Sequence, residues 1–165
     1  HGGYTTLRRL IEGKPVVVHG DGTSLWTLTH HRDFALGLVG LLGHPAALGE
    51  AFHITSDEWL TWNQIYTILA QAAGGEARLV HVPSEVIARY DDRWGDSMLG
   101  DKMHCAIFDN SKVRRLVPDF RPVIPFWRGA QEIVDWYAAD PRRQVVDETF
   151  DALTERVIRE MGAVG

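Results

Sequence analysis

The 165-residue sequence predicts an α/β domain, in which several helices pack on a small sheet made of a hairpin and short parallel strands. Three observations predict it. A β-branched run, Val16–Val18, is followed after Gly20-Asp21-Gly22 by the alternating Leu25-Trp26-Thr27-Leu28-Thr29. Phe34, Ala35, Leu38, Leu41 and Leu42 recur at helical spacing. A capping-box signature, Thr61-Trp62-Asn63-Gln64, opens a helix between two further strand-like runs, Ala51–Ile54 and Arg78–Val82.

In chain order, Tyr4 to Glu12 reads as a helix stopped by Gly13 and Pro15. Val16–His19 and Leu25–Thr29 are the predicted hairpin arms, because glycine supplies positive φ at the turn and aspartate tolerates it. His31 to Leu42 is the next helix, with Asp33 in the first turn where the macrodipole favours an acid, and Gly43 and Pro45 stop it. The helix from about Trp62 to Ala73 ends at Gly74-Gly75. It separates Ala51–Ile54 from Arg78–Val82, which predicts that these two strands lie parallel.

Pro83 starts a helix toward Tyr90, and Asp91 to Met103, polar and aperiodic, reads as a loop. Asp109-Asn110-Ser111 caps a short helix through Leu116. Pro125 opens a longer helix carrying Ile133, Val134, Trp136 and Tyr137, which Asp140-Pro141 closes, and a last helix runs from about Asp147 to Met161.

The length suits one domain, residues 1–165. A net charge of −5 argues against nucleic acid, since phosphate contacts need a basic face. The single cysteine, Cys105, excludes a disulfide framework and predicts a reducing, cytoplasmic setting. No apolar stretch approaches the roughly 20 residues of a membrane span, so no membrane partner is expected. The chain opens on His1-Gly2-Gly3 without methionine, which fits a piece of a longer polypeptide.

Local chemistry offers no self-sufficient active site. Gly20 and Gly22 fill the first two places of a G-x-G-x-x-G loop, but the third falls on Leu25 and a strand follows where a helix is required. Eight histidines include the adjacent His30-His31, yet no His-x-x-x-His or Cys-x-x-Cys spacing occurs, so no metal is expected. His104 beside Cys105 is poor geometry for a nucleophile and its base, and no G-x-S-x-G elbow exists. The six tryptophans read as core or ligand-wall residues.

The order of several short motifs resembles the C-terminal half of the extended short-chain dehydrogenase/reductase family, the NAD-dependent sugar-nucleotide epimerases and dehydratases. The matching pieces are Glu12 through Gly22, Thr29-His30-His31-Arg32-Asp33-Phe34-Ala35, Ala51-Phe52-His53-Ile54-Thr55, Phe108-Asp109-Asn110-Ser111-Lys112, and the neighbourhood of Gly129 and Trp136-Tyr137. They cover nearly the whole chain. The stretch from Gly100 to Asp140-Pro141 is also similar to a bacterial branch of nucleoside-diphosphate-sugar epimerases, and a plant chloroplast branch with RNA-associated roles looks related.

The resemblance implies a substrate-binding domain whose Rossmann half is absent. Family members carry a glycine-rich cofactor loop and a Tyr-x-x-x-Lys pair, whose lysine lowers the tyrosine pKa for acid–base work beside the nicotinamide. Here Tyr4, Tyr66, Tyr90 and Tyr137 precede Arg8, Ala70, Trp94 and Pro141 at that spacing, so no catalytic residue is assigned. NAD or NADP is implied for the full-length parent and none for this segment alone; the missing N-terminal Rossmann domain and a nucleotide-sugar are the implied partners.

Within the segment the resemblance points to Val17 and His19, two apart on one strand face, as neighbours of the nucleotide base. It places Trp26 where relatives carry a diphosphate-binding arginine, and matches Arg93-Trp94-Gly95-Asp96 to an Arg-x-Gly-Asp segment, which nominates Arg93 and Asp96. Asp33, Asp109 and Lys112 read as structural. The competing expectations are a non-catalytic binding or regulatory module, RNA-associated as in the chloroplast branch, and an oxidoreductase parent acting on a non-nucleotide substrate, which an indole at position 26 would accommodate.

Overall fold

The computed structural model describes residues 3–162. Helix α1 (Gly3–Ile11) leads into β1 (Pro15–His19), β2 (Leu25–Trp26) and α2 (His31–Leu41). β3 (Leu60–Thr61) passes directly into α3 (Trp62–Ala72), whose capping box forms with both the Thr61 and Gln64 side chains engaged. β4 (Arg78–Val82) and α4 (Ser84–Tyr90) follow, then α5 (Asp92–Ser97), α6 (Ser111–Leu116), α7 (Phe126–Ala138) and α8 (Glu148–Gly162). None of these helices is long and apolar enough to cross a membrane.

The predicted hairpin does not form. β1 instead pairs in parallel with β4, Val17 opposite Val80 and His19 opposite Val82, while β2 pairs antiparallel with β3 through Leu25 and Thr61. The reason lies in the turn. Gly20 donates its amide to Val82 O, so the chain continues along β4, and positive φ at Gly20 and Gly22 then redirects it toward β3.

Ala51–Ile54 is likewise outside any strand, and it is not the parallel neighbour of β4. Side chains serve the backbone there: Lys112 Nζ donates to Ala51 O, and Asn110 both accepts from Thr55 N and donates to Thr55 O. That use takes Asn110 away from the predicted capping role; Asp109 Oδ1 accepts from Ser111 N instead.

Asp91 to Met103 is helical where a loop was expected. Asp91 Oδ1 caps α5 by accepting from Trp94 N, and a five-residue π turn, Met98–Lys102, continues it. Trp94 and Met98, four apart, are its buried large apolar side chains, too few to give the sequence a clear period. They join Val17, Val82, Ile87 and Val157 on one side of the β1/β4 pair, while Val16 packs with Leu10 and Ala70 on the other. Arg9, buried beside this core, donates Nε to Pro15 O and Nη1 to Asp151, and its guanidinium forms an ion pair with Glu155.

Candidate ligand-binding site

Parallel strands present a crevice beyond their carboxyl ends, where two successive chain segments diverge. In this fold that crevice is a cleft of about 530 Å³. After β1 it is lined by His19, Asp21 and Ser24, after β4 by Ser84 and Glu85, and Met103 and Cys105 close its third side. His19 also faces a narrow cavity of about 30 Å³ behind it, whose walls include Val17, Trp62, Tyr66, Trp94 and Lys102. His19 is thus the residue common to an open cleft and a narrower cavity.

The imidazole is buried, and burial holds its pKa below the usual histidine value. Its Nε2 lies 2.8 Å from Lys102 O and 3.3 Å from Ser24 Oγ, and Ser24 Oγ donates to the same carbonyl at 2.9 Å. The Trp62 ring meets it edge-on at 5.2 Å. Residues 102–106 therefore form a strap against the β2 region, continued by Ala106 N donating to Leu25 O and Thr27 Oγ1 donating to Ala106 O. Burial also pushes the Tyr66 phenol up to about 12.

Trp26 stacks at a tilt on Trp62, ring centres 5.5 Å apart, and the Lys102 ammonium stands 5.6 Å from the Trp26 ring centre. His19 and Trp26 are thus joined through one aromatic neighbour, Trp62, which lines the narrow cavity together with Val17 and which the sequence reading grouped with the other tryptophans as a core or ligand-wall residue. Trp62 was findable only as the residue after a capping threonine, since its contacts come from elements distant in sequence.

Arg93 and Asp96 are not brought to this place. Both are exposed on α5, and neither lines the cleft or the cavity. The inward residues of that segment are Trp94, in the core, and Gly95, where a Cβ would collide with Ala88 of α4. Close packing of α5 on α4 is a sufficient reason for the glycine.

The Gly20-Asp21-Gly22 turn does not fit a dinucleotide pyrophosphate. A Cβ on Gly22 would strike the Asn63 carboxamide, which donates to Asp21 O and accepts from His81, and Asp21 spends a carboxylate oxygen on Thr23. The turn is filled from within. Asp33 is buried and accepts from Ile124 N, while Lys112 pairs with Glu50.

A second groove, of about 620 Å³, runs between α7 and the start of α2. On it His30 gives Nε2 to Glu132 at 3.0 Å and accepts from Arg32 N at Nδ1, and the hydrogen bond from His30 holds the Glu132 carboxyl below its ordinary pKa. Both His30 nitrogens are in use. Among the described residues no group of three or more histidine, cysteine, aspartate or glutamate side chains is arranged to hold a metal.

The sequence and structural neighbours of this chain are members of the extended short-chain dehydrogenase/reductase family. A dTDP-glucose 4,6-dehydratase of Actinoplanes sp. is 32% identical over 134 residues, 81% of this chain and 37% of that protein. A 2'-dehydrokanamycin reductase of Streptomyces kanamyceticus is 29% identical over 122 residues, 70% of this chain and 32% of its own length. Among solved structures, UDP-glucuronic acid 4-epimerase from Bacillus cereus, in complex with UDP-glucuronic acid and NAD, superposes with a TM-score of 0.64 at 21% identity. That match covers 83% of this chain and 40% of the epimerase, consistent with a C-terminal portion of the fold. The chain spans about a third of the length of these two curated relatives. No protein-family model matches it.

Proposed function

We propose that this chain is the substrate-binding portion of an NAD(P)-dependent nucleotide-sugar epimerase or dehydratase-like oxidoreductase, acting in the cytoplasm and catalytically incomplete without a Rossmann portion. The observation that supports this most is the 32% identity to a dTDP-glucose 4,6-dehydratase across four-fifths of the chain. The cleft at the carboxyl ends of β1 and β4 is the place for the nucleotide, with His19 on its wall, Val17 behind it, and Trp26 linked through Trp62. Arg93 and Asp96, exposed on α5, carry no ligand role in this reading. Redox chemistry then falls to residues outside this segment, and the chain's own part is to bind and orient.

Thermal-shift measurements on the 165-residue protein with UDP-glucose and dTDP-glucose test the reading. Stabilisation that grows with ligand concentration is expected. Failure of both to shift the transition would overturn it. A second reading, a non-nucleotide substrate, is favoured by the similarity to 2'-dehydrokanamycin reductase and by Trp26, since an indole gives no bidentate contact to a diphosphate. It predicts that a nucleotide-free carbonyl substrate stabilises the protein where nucleotide sugars do not.

A further inference from the structure

We propose that the outward face of α2 and the segment 51–54 form one surface that joins a sheet edge in the Rossmann portion of the parent polypeptide, with 51–54 entering that sheet as a strand. The inference rests on the reading above for the existence of that portion and goes beyond it in assigning the residues that meet it.

The amphipathy of α2 is inverted. Phe34, Leu38, Val39 and the C-capping Leu42 recur at the spacing by which a helix covers a core, yet they are 42, 40, 67 and 68% exposed. The face turned to the body of the domain carries Asp33, Gly37 and Gly40 instead. A Cβ on Gly37 would collide with Ile54 and Phe120, and one on Gly40 with Val117. The helix thus lies close through its glycines and leaves its large side chains outside. Four of them on one stripe form a contiguous patch, unlike the single exposed apolar residues that need no cover.

The segment that follows α2 narrows the occupant. Ala51-Phe52-His53-Ile54 has strand character in sequence but no strand pairs with it. Lys112 and Asn110 serve its two ends, at Ala51 O and Thr55, while among the described residues no hydrogen bond engages the backbone of Phe52, His53 or Ile54. A row of free N–H and C=O groups is satisfied by another peptide strand. Ile54 meets α2 at Gly37, so the free backbone and the apolar stripe belong to one helix-then-strand unit. The edge of an open α/β sheet supplies both a strand partner and an apolar layer for the helix. A lipid surface supplies no strand, and α2, with Arg32 and no lysine, lacks the basic flank of a membrane-lying helix. The polypeptide outside this chain is long enough for such a sheet in the relatives: the match to the UDP-glucuronic acid 4-epimerase covers 40% of that protein.

Hydrogen exchange followed residue by residue in the 165-residue protein and in the full-length parent tests this. The amides of Phe52, His53 and Ile54 should exchange freely in the first and at least about a hundredfold more slowly in the second. Val39→Asp should leave the unfolding midpoint of the 165-residue protein nearly unchanged and lower that of the parent by at least about 4 °C, because only there is the carboxylate buried. Equal exchange at 52–54 in both proteins, or a Val39→Asp effect of one size in both, would overturn this surface and leave the nucleotide-sugar reading to its own thermal-shift test. Protection in the 165-residue protein that grows with its concentration would overturn it in favour of a second copy. A parent polypeptide without a Rossmann portion would overturn both the surface and the reading it rests on.

Discussion

Two regions of this molecule treat apolar side chains in opposite ways. Around the β1/β4 pair, Val82, Ile87 and Val157 are fully buried and Trp94 and Met98 nearly so. Along α2 and the turn after it, Val39 is 67% exposed, Leu42 68% and Leu48 78%. Both regions show apolar residues at helical spacing in the sequence, so periodicity marks the helix without saying how much of it is covered. Stability should therefore reside on the β1/β4 side, where each large side chain meets several others across elements.

The sharpest way to break this comparison is Trp94→Ala. It removes the largest side chain that α5 contributes to the core, in contact with Phe150 of α8, and should cost about 3–5 kcal/mol in chemical denaturation. A loss below about 1 kcal/mol would mean that α5 is not part of the cooperative unit. Asn110→Ala is the next largest. Its carboxamide accepts from Thr55 N and donates to Thr55 O and Asp57, so its removal strands polar groups around the non-strand segment and should cost about 1–3 kcal/mol. That variant probes a place outside both regions, the non-strand segment around Thr55, where backbone groups are served by single side chains.

How much of this was legible in the sequence follows from the range of each interaction. The capping box at Thr61 and Gln64 is local, and α3 starts where it says. The stops at Gly13 and Gly74 are local too, and both glycines take positive φ. Strand partners are not local. Val16–His19 and Arg78–Val82 are visible as strands, but the pairing of β1 with β4 depends on where α3 packs between them. The same limit applies to the site: His19 was nominated from its strand face, whereas Lys102 O, Ser24 and Trp62, which fix its tautomer and plane, come from three other segments. Arg93 and Asp96 show the same limit from the other side, since a four-residue pattern says nothing of which face of α5 turns inward, and both are exposed.

His19 also gives the β1/β4 side a pH signature. Its folded-state pKa lies below the ordinary value near 6.5, first because burial disfavours the imidazolium. The unfolded chain therefore binds the proton more readily than the folded one. Its contribution to stability is complete above about 6.5 and is lost as pH falls from there through the lower folded value. Denaturation midpoints measured from pH 7.5 to 5 should fall with acid, and His19→Phe should flatten that fall. An unchanged slope in the variant would assign the acid sensitivity to other groups.

The smallest expected effect completes the contrast. Val39→Ser lies on the exposed face of α2, and a surface substitution of this kind should change stability by no more than about 0.5 kcal/mol. Val and Ser differ little in helix propensity, so the backbone does not obscure the result. If α2 is as open in solution as its exposure indicates, Val39→Ser and Leu42→Ser will both be near neutral and their midpoints will not depend on protein concentration. A loss above about 1 kcal/mol, or a midpoint that rises with concentration, would show that this face is covered by another copy, and the division between the two regions would then describe the monomer only.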